Sequence, residues 1–203
     1  MRAGAIILAA GRGSRMGEEG EPKPLRRLAG RPMIAHVVER LAGYTPILVN
    51  APADGSFDAF GEQVVPDVRA GFQGPLAGIE AGLSTLEKYH EEITHAIILP
   101  SDTPFLPIDI ASRLVTAAKE REIVSVESGG RLHPTVALWP VTLLSTLSRW
   151  LDDERPRALR HFLKHVGYST IAFNPEWGTS GPDPFSNINT PEELAAAERF
   201  LTG

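Results

Sequence analysis

The chain has 203 residues, a net charge of −5 and no cysteine, and hydrophobic residues make up 42% of it. This composition is typical of a globular protein, and the length suits a single domain over residues 1–203 with a sheet covered on both faces. The negative charge argues against a general nucleic-acid-binding protein, and the lack of cysteine excludes disulfides, zinc–thiolate sites and a cysteine nucleophile.

The sequence also predicts where the protein works. No apolar run approaches the roughly 18 residues that a membrane-spanning helix needs. The first apolar run leads into a glycine loop and not into a small-residue cleavage site, so it does not resemble a secretion signal. Because the lack of cysteine also suits a reducing compartment, we expect a cytoplasmic protein with no membrane partner.

The first predicted element is a buried strand that leads into a glycine-rich loop. Residues 5–10 form an apolar run ending at glycine, which is typical of a strand in a parallel sheet. Gly11 and Gly13 lack a Cβ, so the backbone can approach a ligand and its N–H groups can bind an anion. Arg15 adds a fork of donors for phosphate oxygens, and Lys23 adds a point charge. The stretch therefore predicts a phosphate-binding loop.

Spacing excludes two common loops of this kind. A P-loop needs Gly-Lys-Ser/Thr, but Gly17 is followed by Glu18. A dinucleotide-binding loop needs G-x-G-x-x-G, and the glycines here are one residue too far apart. The strand that would supply its acidic ribose contact ends in Asn50 instead. An oxidoreductase is therefore the least expected class.

The next elements bring polar residues to strand ends. After a short strand or turn over 25–30, Pro32 is predicted to open a helix. A predicted strand over 46–50 ends in Asn50, and a predicted strand over 64–66 is followed by Asp67. Ligands in open α/β sheets bind beyond the carboxyl ends of strands, so we expect the Asn50 side chain to contact a base or ribose. A polar strand terminator is the alternative for Asn50.

The segment GFQGPLAGIEAGL, residues 71–83, predicts a helix with glycines along one side. For Gly78 and Gly82 we expect close packing of this helix on the sheet. Gly74 precedes Pro75 at the helix start, where backbone N–H groups can bind an anion.

A further apolar strand over 94–99 is followed by PSDTPFLP, which holds Asp102 in a stiff loop. A carboxylate so placed suits magnesium (Mg²⁺), which binds one or two carboxylates together with substrate phosphates. A helix cap or a turn is the alternative role for Asp102. A helix over 108–121 and a strand over 123–126 are predicted next.

The segment RLHPTVALWP, residues 131–140, places Arg131 and His133 before another apolar strand. His133 is a candidate substrate contact, and a packed or exposed histidine is the alternative. Two amphipathic helices and a strand over 168–173 are predicted to follow. Three arginines lie between those helices and predict either a solvated basic face or an acceptor-phosphate site: Arg155, Arg157 and Arg160.

The last segment, FSNINTPEEL, follows a loop over 175–184 that is rich in proline and glycine. Asn187 and Asn189 alternate with other residues, so both point to one side of an extended segment and can offer oxygens to a metal or ribose. Thr190, with Glu193 three residues on, predicts the start of a helix.

These motifs resemble those of one enzyme family. LAAGRGSRMG followed by K-P-L is similar to the signature loop of nucleotidylyltransferases that join an NTP to a phosphorylated acceptor. GPLAGI, DTPFL, R-x-H-P-T and NINTPEEL narrow the resemblance to the molybdenum cofactor guanylyltransferases, the MobA-type proteins, over residues 6 to 195. The alternation of strands and helices predicts an α/β fold, Rossmann-like, with three layers and a mostly parallel sheet.

The resemblance implies transfer of GMP from GTP to the phosphate of molybdopterin or Mo-molybdopterin, with Mg²⁺ as cofactor. Other proteins of molybdenum cofactor biosynthesis and recipient molybdoenzymes are the implied partners. The residues and the resemblance together predict a nucleotide site made of Leu8, Ala9, Ala10, Gly11, Gly13, Lys23, Asn50, Asp67, Gly74 and Asp102. The predicted catalytic residues are Arg15, Lys23 and Asp102, with Asp102 as metal ligand. The predicted substrate contacts are His133, Asn187 and Asn189, either asparagine also helping to hold the metal.

Several alternatives stay open. L-A-A-G stands where the family more often has L-A-G-G and also occurs in cytidylyl and sugar-phosphate branches, so CTP or another NTP is an alternative donor. Residues 18–22 form a longer and more acidic insert before Lys23 than is usual. A non-catalytic nucleotide-binding module is a different class, which the joint presence of Arg15, Lys23 and Asp102 disfavours.

Overall fold

A computed structural model describes residues 1–11, 21–71, 74–118, 120–173 and 183–202, with the backbone alone for Thr202. The strands are β1 (Ala3–Leu8), β2 (Arg27–Leu28), β3 (Arg31–Pro32), β4 (Ile47–Asn50), β5 (Gln63–Val64), β6 (His95–Pro100), β7 (Ile123–Ser128), β8 (Arg131–Pro140) and β9 (Tyr168–Phe173). The α-helices are α1 (Met33–Glu39), α2 (Pro75–Tyr89), α3 (Ile110–Thr116), α4 (Leu144–Asp152), α5 (Leu159–Val166) and α6 (Pro191–Thr202). Gly13, Arg15 and most of the loop predicted over 175–184 lie outside the described residues.

A seven-stranded sheet in the order β5-β4-β1-β6-β8-β7-β9 forms the centre of the fold. Within it β8 runs antiparallel to both neighbours, and the other adjacent pairs are parallel. Leu8 at the end of β1 pairs with Asn50 on one side and Pro100 on the other. The carboxyl ends of three strands therefore meet at one edge, which brings together the loops predicted to bind the nucleotide.

Helices cover both faces of this sheet. Alternate β1 side chains point to opposite sides: Ala5 and Ile7 pack in the same apolar cluster as residues of α1 and α3. Ile6 packs in a second cluster with residues of α2, α4 and α5. The three-layer, Rossmann-like α/β fold predicted from the sequence is thus confirmed.

The prediction that Pro32 opens a helix is confirmed, since Pro32 is the N-cap of α1 and its own extended backbone pairs with Arg27. Two other predicted boundaries were wrong for identifiable reasons. The helix predicted over 108–121 is shorter, because its last turn tightens and Ala118 N–H bonds to the Val115 carbonyl. Arg131 and His133 do not precede the apolar strand but belong to β8, whose pairing with β7 begins at Arg131.

None of the helices in the described part of the chain combines the length and apolar character needed to span a bilayer.

The close packing expected of Gly82 is confirmed. A Cβ added there would lie 2.7 Å from Ile6 Cγ1, so α2 approaches β1 because residue 82 has no side chain. Alanine would raise helix propensity by about 1 kcal/mol, but overpacking a core costs about 1–3 kcal/mol. The helix therefore lies as close to the sheet as glycine allows.

We expect Gly82→Ala to lower the free energy of unfolding by about 1 kcal/mol, because the clash outweighs the gain in propensity. Urea unfolding measures this change. Ile6→Val in the Gly82→Ala background should recover part of the loss, since it removes an Ile6 methyl that crowds the site. Ser84→Ala, at an exposed position of α2, is the matched control and should stay near the wild-type value. An unchanged stability of Gly82→Ala would contradict the packing argument.

Candidate active site

Three side chains from distant parts of the chain meet at the edge where β1 and β6 end. The Lys23 ammonium lies 2.5 Å from Asp102 Oδ2 and 2.8 Å from Asn189 Oδ1. The side chains of Lys23 and Asp102 are 11% and 18% exposed, so their charges interact through little water. The acidic insert before Lys23 therefore does not keep this lysine from reaching the predicted metal ligand.

Backbone contacts fix Asp102 against the asparagine segment. The Asp102 carbonyl accepts a hydrogen bond of 2.9 Å from Ile188 N–H. Thr103, fully buried, donates its hydroxyl to the Pro100 carbonyl at 3.0 Å and closes the turn after β6. Asp102 does not act as a helix cap, because α3 begins only at Ile110. Its carboxylate is instead directed at Lys23.

The segment that carries Asn189 is held by the start of α6. Glu193 accepts hydrogen bonds from the N–H groups of Asn189 and Thr190, at 2.5 and 3.2 Å, and its own N–H donates to Thr190 Oγ1 at 3.2 Å. This reciprocal arrangement is a capping box, as the sequence predicted. It fixes the backbone at Asn189, whose amide nitrogen donates to the Asn187 carbonyl at 3.3 Å.

Asn50 ends β4, on the opposite side of β1 from β6, and is buried, with 3% of its surface exposed. Its amide nitrogen donates to the Val65 carbonyl at 3.1 Å and to Asp67 Oδ1 at 2.9 Å. A Cβ added at Gly78 would lie 2.7 Å from Asn50 Cγ. The close packing expected of Gly78 is thus confirmed, and the group it accommodates is a predicted nucleotide-binding residue.

The backbone of the first loop is partly used by the sheet. Ala9 N–H donates to the Asn50 carbonyl at 2.8 Å, and the Leu8 carbonyl accepts from Ser101 N–H at 3.1 Å. The Ala9 N–H and the Leu8 carbonyl are therefore already used within the fold. Backbone contacts to a base, as predicted, would have to come from neighbouring groups, including those of Ala10 and Gly11. Gly11 is exposed, and a Cβ there would meet no described atom within 4 Å.

Gly74 lies at the start of α2 with a φ of 73°, in the left-handed region that favours glycine. Pro75 occupies the first turn of the helix. The role of Gly74 in binding an anion stays a prediction.

A cleft of about 730 Å³ lies beside Asn189, between β8 and the segment leading into α6. Its polar lining comes from Arg131, His133, Thr135, Arg160, Asp183, Ser186, Asn187, Asn189 and Glu193. The alternation of Asn187 and Asn189 therefore does bring both residues to one cavity, as predicted.

His133 is buried in the wall of this cleft, with 7% exposed, and its ring centroid lies 5.0 Å from that of Phe185. Its Nε2 atom has no hydrogen-bond partner among the described residues. Burial lowers the pKa of His133, nearby Arg131 and Arg160 lower it further, and Asp183 opposes the shift. His133 is therefore neutral at physiological pH, with an unused ring nitrogen.

The three arginines around α5 do not form one site. The Arg155 guanidinium lies 5.5 Å from the centroid of the Trp150 ring, and Arg157 Nη1 donates to the Leu151 carbonyl at 3.1 Å. Arg160 lines the cleft of His133. Of the three, Arg160 alone is among the residues that line this cleft, so an acceptor-phosphate role stays a prediction for Arg160.

Sequence reasoning missed Arg69 and Glu80, which form an ion pair next to Asp67. A signal was present in the sequence: Glu80 is the one charged residue in GPLAGIEAGL, on a helix otherwise suited to burial. A buried carboxylate needs a partner, but the sequence does not tell which of its cations supplies it.

Comparison with known proteins defines the class. Residues 5–167 match the family model described as MobA-like NTP transferase domain, so the chain belongs to this family and is a nucleotidyltransferase. Within it, the chain belongs to the molybdenum cofactor guanylyltransferases. It is 41% identical over 199 residues to the molybdenum cofactor guanylyltransferase of Bradyrhizobium sp. (strain ORS 278), covering 96% of this chain and 91% of that protein. Identity to the one from Rhizobium meliloti (strain 1021) is 42% over 201 residues, covering 97% and 91%.

Solved structures agree in fold. Molybdopterin-guanine dinucleotide biosynthesis protein A from Archaeoglobus fulgidus superposes with a TM-score of 0.71 at 20% identity, covering 100% of this chain and 99% of that one. The 4-diphosphocytidyl-2C-methyl-D-erythritol synthase of Anaerococcus prevotii gives 0.72 at 12% identity, covering 100% and 96%. The family resemblance stated from the sequence motifs is thus confirmed.

We expect Gly78→Ala to weaken nucleotide binding on the order of tenfold, since the new methyl must displace the Asn50 side chain. Isothermal titration calorimetry with the nucleotide measures the Kd. The double variant with Asn50→Ala should bind no worse than Asn50→Ala alone, because both changes act on the same contact. Losses that multiply in the double variant would show that Gly78 acts independently of Asn50.

The lowered pKa of His133 predicts a pH dependence of stability. The folded protein binds this proton more weakly than the unfolded chain, so stability falls as pH drops below the ordinary histidine value of 6.5. Each pKa unit of that shift corresponds to about 1.4 kcal/mol. Urea unfolding at about pH 7.5 and pH 5.5 should show a smaller loss for His133→Gln than for the wild type. His161→Gln, at an exposed histidine, should match the wild type. Equal losses in all three proteins would refute the assignment.

Proposed function

We propose that this protein transfers GMP from GTP to the phosphate of Mo-molybdopterin, forming the guanine dinucleotide cofactor and pyrophosphate. The observation that carries the proposal is the meeting of Lys23, Asp102 and Asn189 beside the cleft of His133. Asn50, which contacts Asp67, ends β4 on the opposite side of β1 from β6. The base and the acceptor follow from the names of the similar proteins.

The chemistry asks for charge neutralisation and orientation. An oxygen of the acceptor phosphate attacks the α-phosphorus of GTP, and the bond from that phosphorus to the bridging oxygen breaks. Its electron pair leaves with pyrophosphate. A phosphate with a second pKa near roughly 6 is largely dianionic at neutral pH, so no general base is required. What the protein supplies is positive charge and alignment.

Magnesium fits the oxygen atoms at this point. The Asp102 carboxylate and the Asn189 amide oxygen already converge on one cation, the Lys23 ammonium. Mg²⁺ is commonly bound by one or two such ligands together with substrate phosphates. The described residues contain no group of three or more histidine and acidic side chains that would form a full protein cage. When bound, Mg²⁺ would neutralise phosphate charge beside Asp102.

Lys23 has two roles in this proposal. It stabilises the Asp102 carboxylate in the free protein, and its flexible stem lets the ammonium turn toward the triphosphate when nucleotide binds. Arg15 would add a second cation at the leaving pyrophosphate; it lies outside the described residues, so its role stays a prediction from the sequence.

The cleft of His133 offers groups that can bind a phosphorylated acceptor. Its charged lining is mixed, with Arg131 and Arg160 beside Asp183 and Glu193. Asn187 and Asn189 supply amide groups. The Nε2 atom of neutral His133 has no hydrogen-bond partner among the described residues, so it can form a hydrogen bond with a polar group of the acceptor substrate without adding charge. The acceptor phosphate would then extend past Asn189 toward Asp102.

The cellular setting is also part of the proposal. We place the reaction in the cytoplasm, because a chain with no cysteine suits a reducing compartment. Its partners would be other proteins of molybdenum cofactor biosynthesis and the molybdoenzymes that receive the product. Neither nucleic acid nor a membrane takes part.

The test offers each of the four NTPs with Mg²⁺ and Mo-molybdopterin and measures pyrophosphate release. We expect GTP to be the preferred donor and Asp102→Asn to lower turnover by on the order of a hundredfold or more, since charge stabilisation at the reacting phosphate is lost. Urea unfolding should show that the variant still folds, with some loss of stability because the largely buried Lys23 ammonium loses its ionic partner. Asp58→Asn, at an exposed carboxylate, is the control and should keep full activity.

The other outcomes separate the alternatives. Faster release with CTP would make the protein a cytidylyltransferase of the same cofactor. Nucleotide binding without pyrophosphate from any NTP would make it a binding module. Full activity of Asp102→Asn at saturating Mg²⁺ would remove the metal assignment.

A further inference from the structure

A network of charged side chains ties the loop after β5 to two helices. Arg69 Nε and Nη2 donate to the two carboxylate oxygens of Glu80 on α2, at 2.6 and 2.7 Å. Its Nη1 donates to Asp152 Oδ1 at the end of α4, at 2.7 Å. Its Nη2 also lies 3.3 Å from the Ser148 carbonyl. Arg69 thus contacts both helices from a single position in the loop.

The two ion pairs of Arg69 differ in burial. The Glu80 side chain is 6% exposed and that of Arg69 is 23% exposed, whereas that of Asp152 is 66% exposed. The bidentate pair with Glu80 therefore fixes the geometry, since both guanidinium and carboxylate are planar and largely shielded from water. These hydrogen bonds raise the pKa of Arg69, which stays charged.

Packing of the two helices does not depend on this pair. Ile79 and Leu83 of α2 share one apolar cluster with Leu147 and Leu151 of α4. Replacing a buried ion pair by apolar side chains of similar volume is often neutral for stability. Apolar packing therefore joins α2 to α4 independently of the pair.

A role for the pair is indicated by Asp67, two residues before Arg69 in the same loop. Asp67 accepts a hydrogen bond of 2.9 Å from the buried Asn50 amide, at the carboxyl end of β4. Arg69 connects the same short stretch of backbone to Glu80, which lies two residues beyond Gly78 on α2. The position of Asp67 relative to Asn50 is thus fixed from two directions.

We propose that Arg69 is a positioning residue for the nucleotide: its pairing with Glu80 holds Asp67 and Asn50 in the arrangement that binds the nucleoside. This inference rests on the proposed function, since it assigns Asn50 and Asp67 to the nucleotide. Asp152 contributes little to it, because an exposed ion pair is weak.

The test compares an apolar replacement of the pair with a variant that leaves the pair intact. In the double variant Arg69→Met, Glu80→Met no unpaired charge is left buried, so the protein should fold with near wild-type urea stability. We expect its KM for GTP to rise on the order of tenfold, because the loop is no longer fixed. Both kcat and the KM for Mo-molybdopterin should stay within about threefold, since neither depends on this loop.

Two further variants complete the comparison. Asp152→Asn keeps the Glu80 contacts and should leave the KM for GTP within about twofold of wild type. Arg69→Lys keeps the charge of Glu80 balanced but loses the fork, so its KM should remain raised; it also serves if the double variant does not fold.

A stable double variant with wild-type KM for GTP would overturn the inference, as would an equal rise in both KM values. If the double variant does not fold, a wild-type KM for GTP in Arg69→Lys would also overturn the inference. The proposed function fails differently: wild-type protein would then bind no NTP, or would use CTP, and in the second case the same variants measured with CTP still decide the role of Arg69.

Discussion

The contact of the Lys23 ammonium with Asp102 and Asn189 joins parts of the chain that are 79 and 166 residues apart. Each partner is held by local structure: Asp102 by the turn after β6, and Asn189 by the capping box of α6. These contacts place one cation between a carboxylate oxygen and an amide oxygen at the end of β6. The rest of the fold serves to bring these three groups together.

The sheet edge also explains why glycine recurs on α2. The helix lies close enough for Gly82 to contact Ile6 and for Gly78 to contact Asn50. Gly82 thus allows close packing against the core, and Gly78 allows close packing against Asn50, although both glycines have the same position in the four-residue repeat. Because α2 packs so closely on the sheet, its start at Gly74 lies at the same sheet edge as Asn50 and Asp67.

Local patterns made most of the fold predictable. Apolar runs located the central strands, and the capping motif at Thr190 located α6, because these signals depend on neighbours in sequence. The predicted boundaries failed in α3, where the last turn tightens, and at Arg131, where pairing with β7 extends the strand. In the site, Asp102 and Lys23 were identified from residue type and motif. His133 was also predicted. The sequence did not predict that His133 is buried or that its Nε2 atom lacks a hydrogen-bond partner among the described residues.

The sequence by itself determined the order of strands and helices along the chain and the family to which the chain belongs. Phosphate binding by the first loop stays a prediction from the sequence. Only the tertiary structure decided which side chains touch. Strand order places β1 between β4 and β6, and no local periodicity encodes that neighbourhood. For the same reason the pairing of Arg69 with Glu80, and the separation of Arg160 from Arg155, became visible only once the chain was folded.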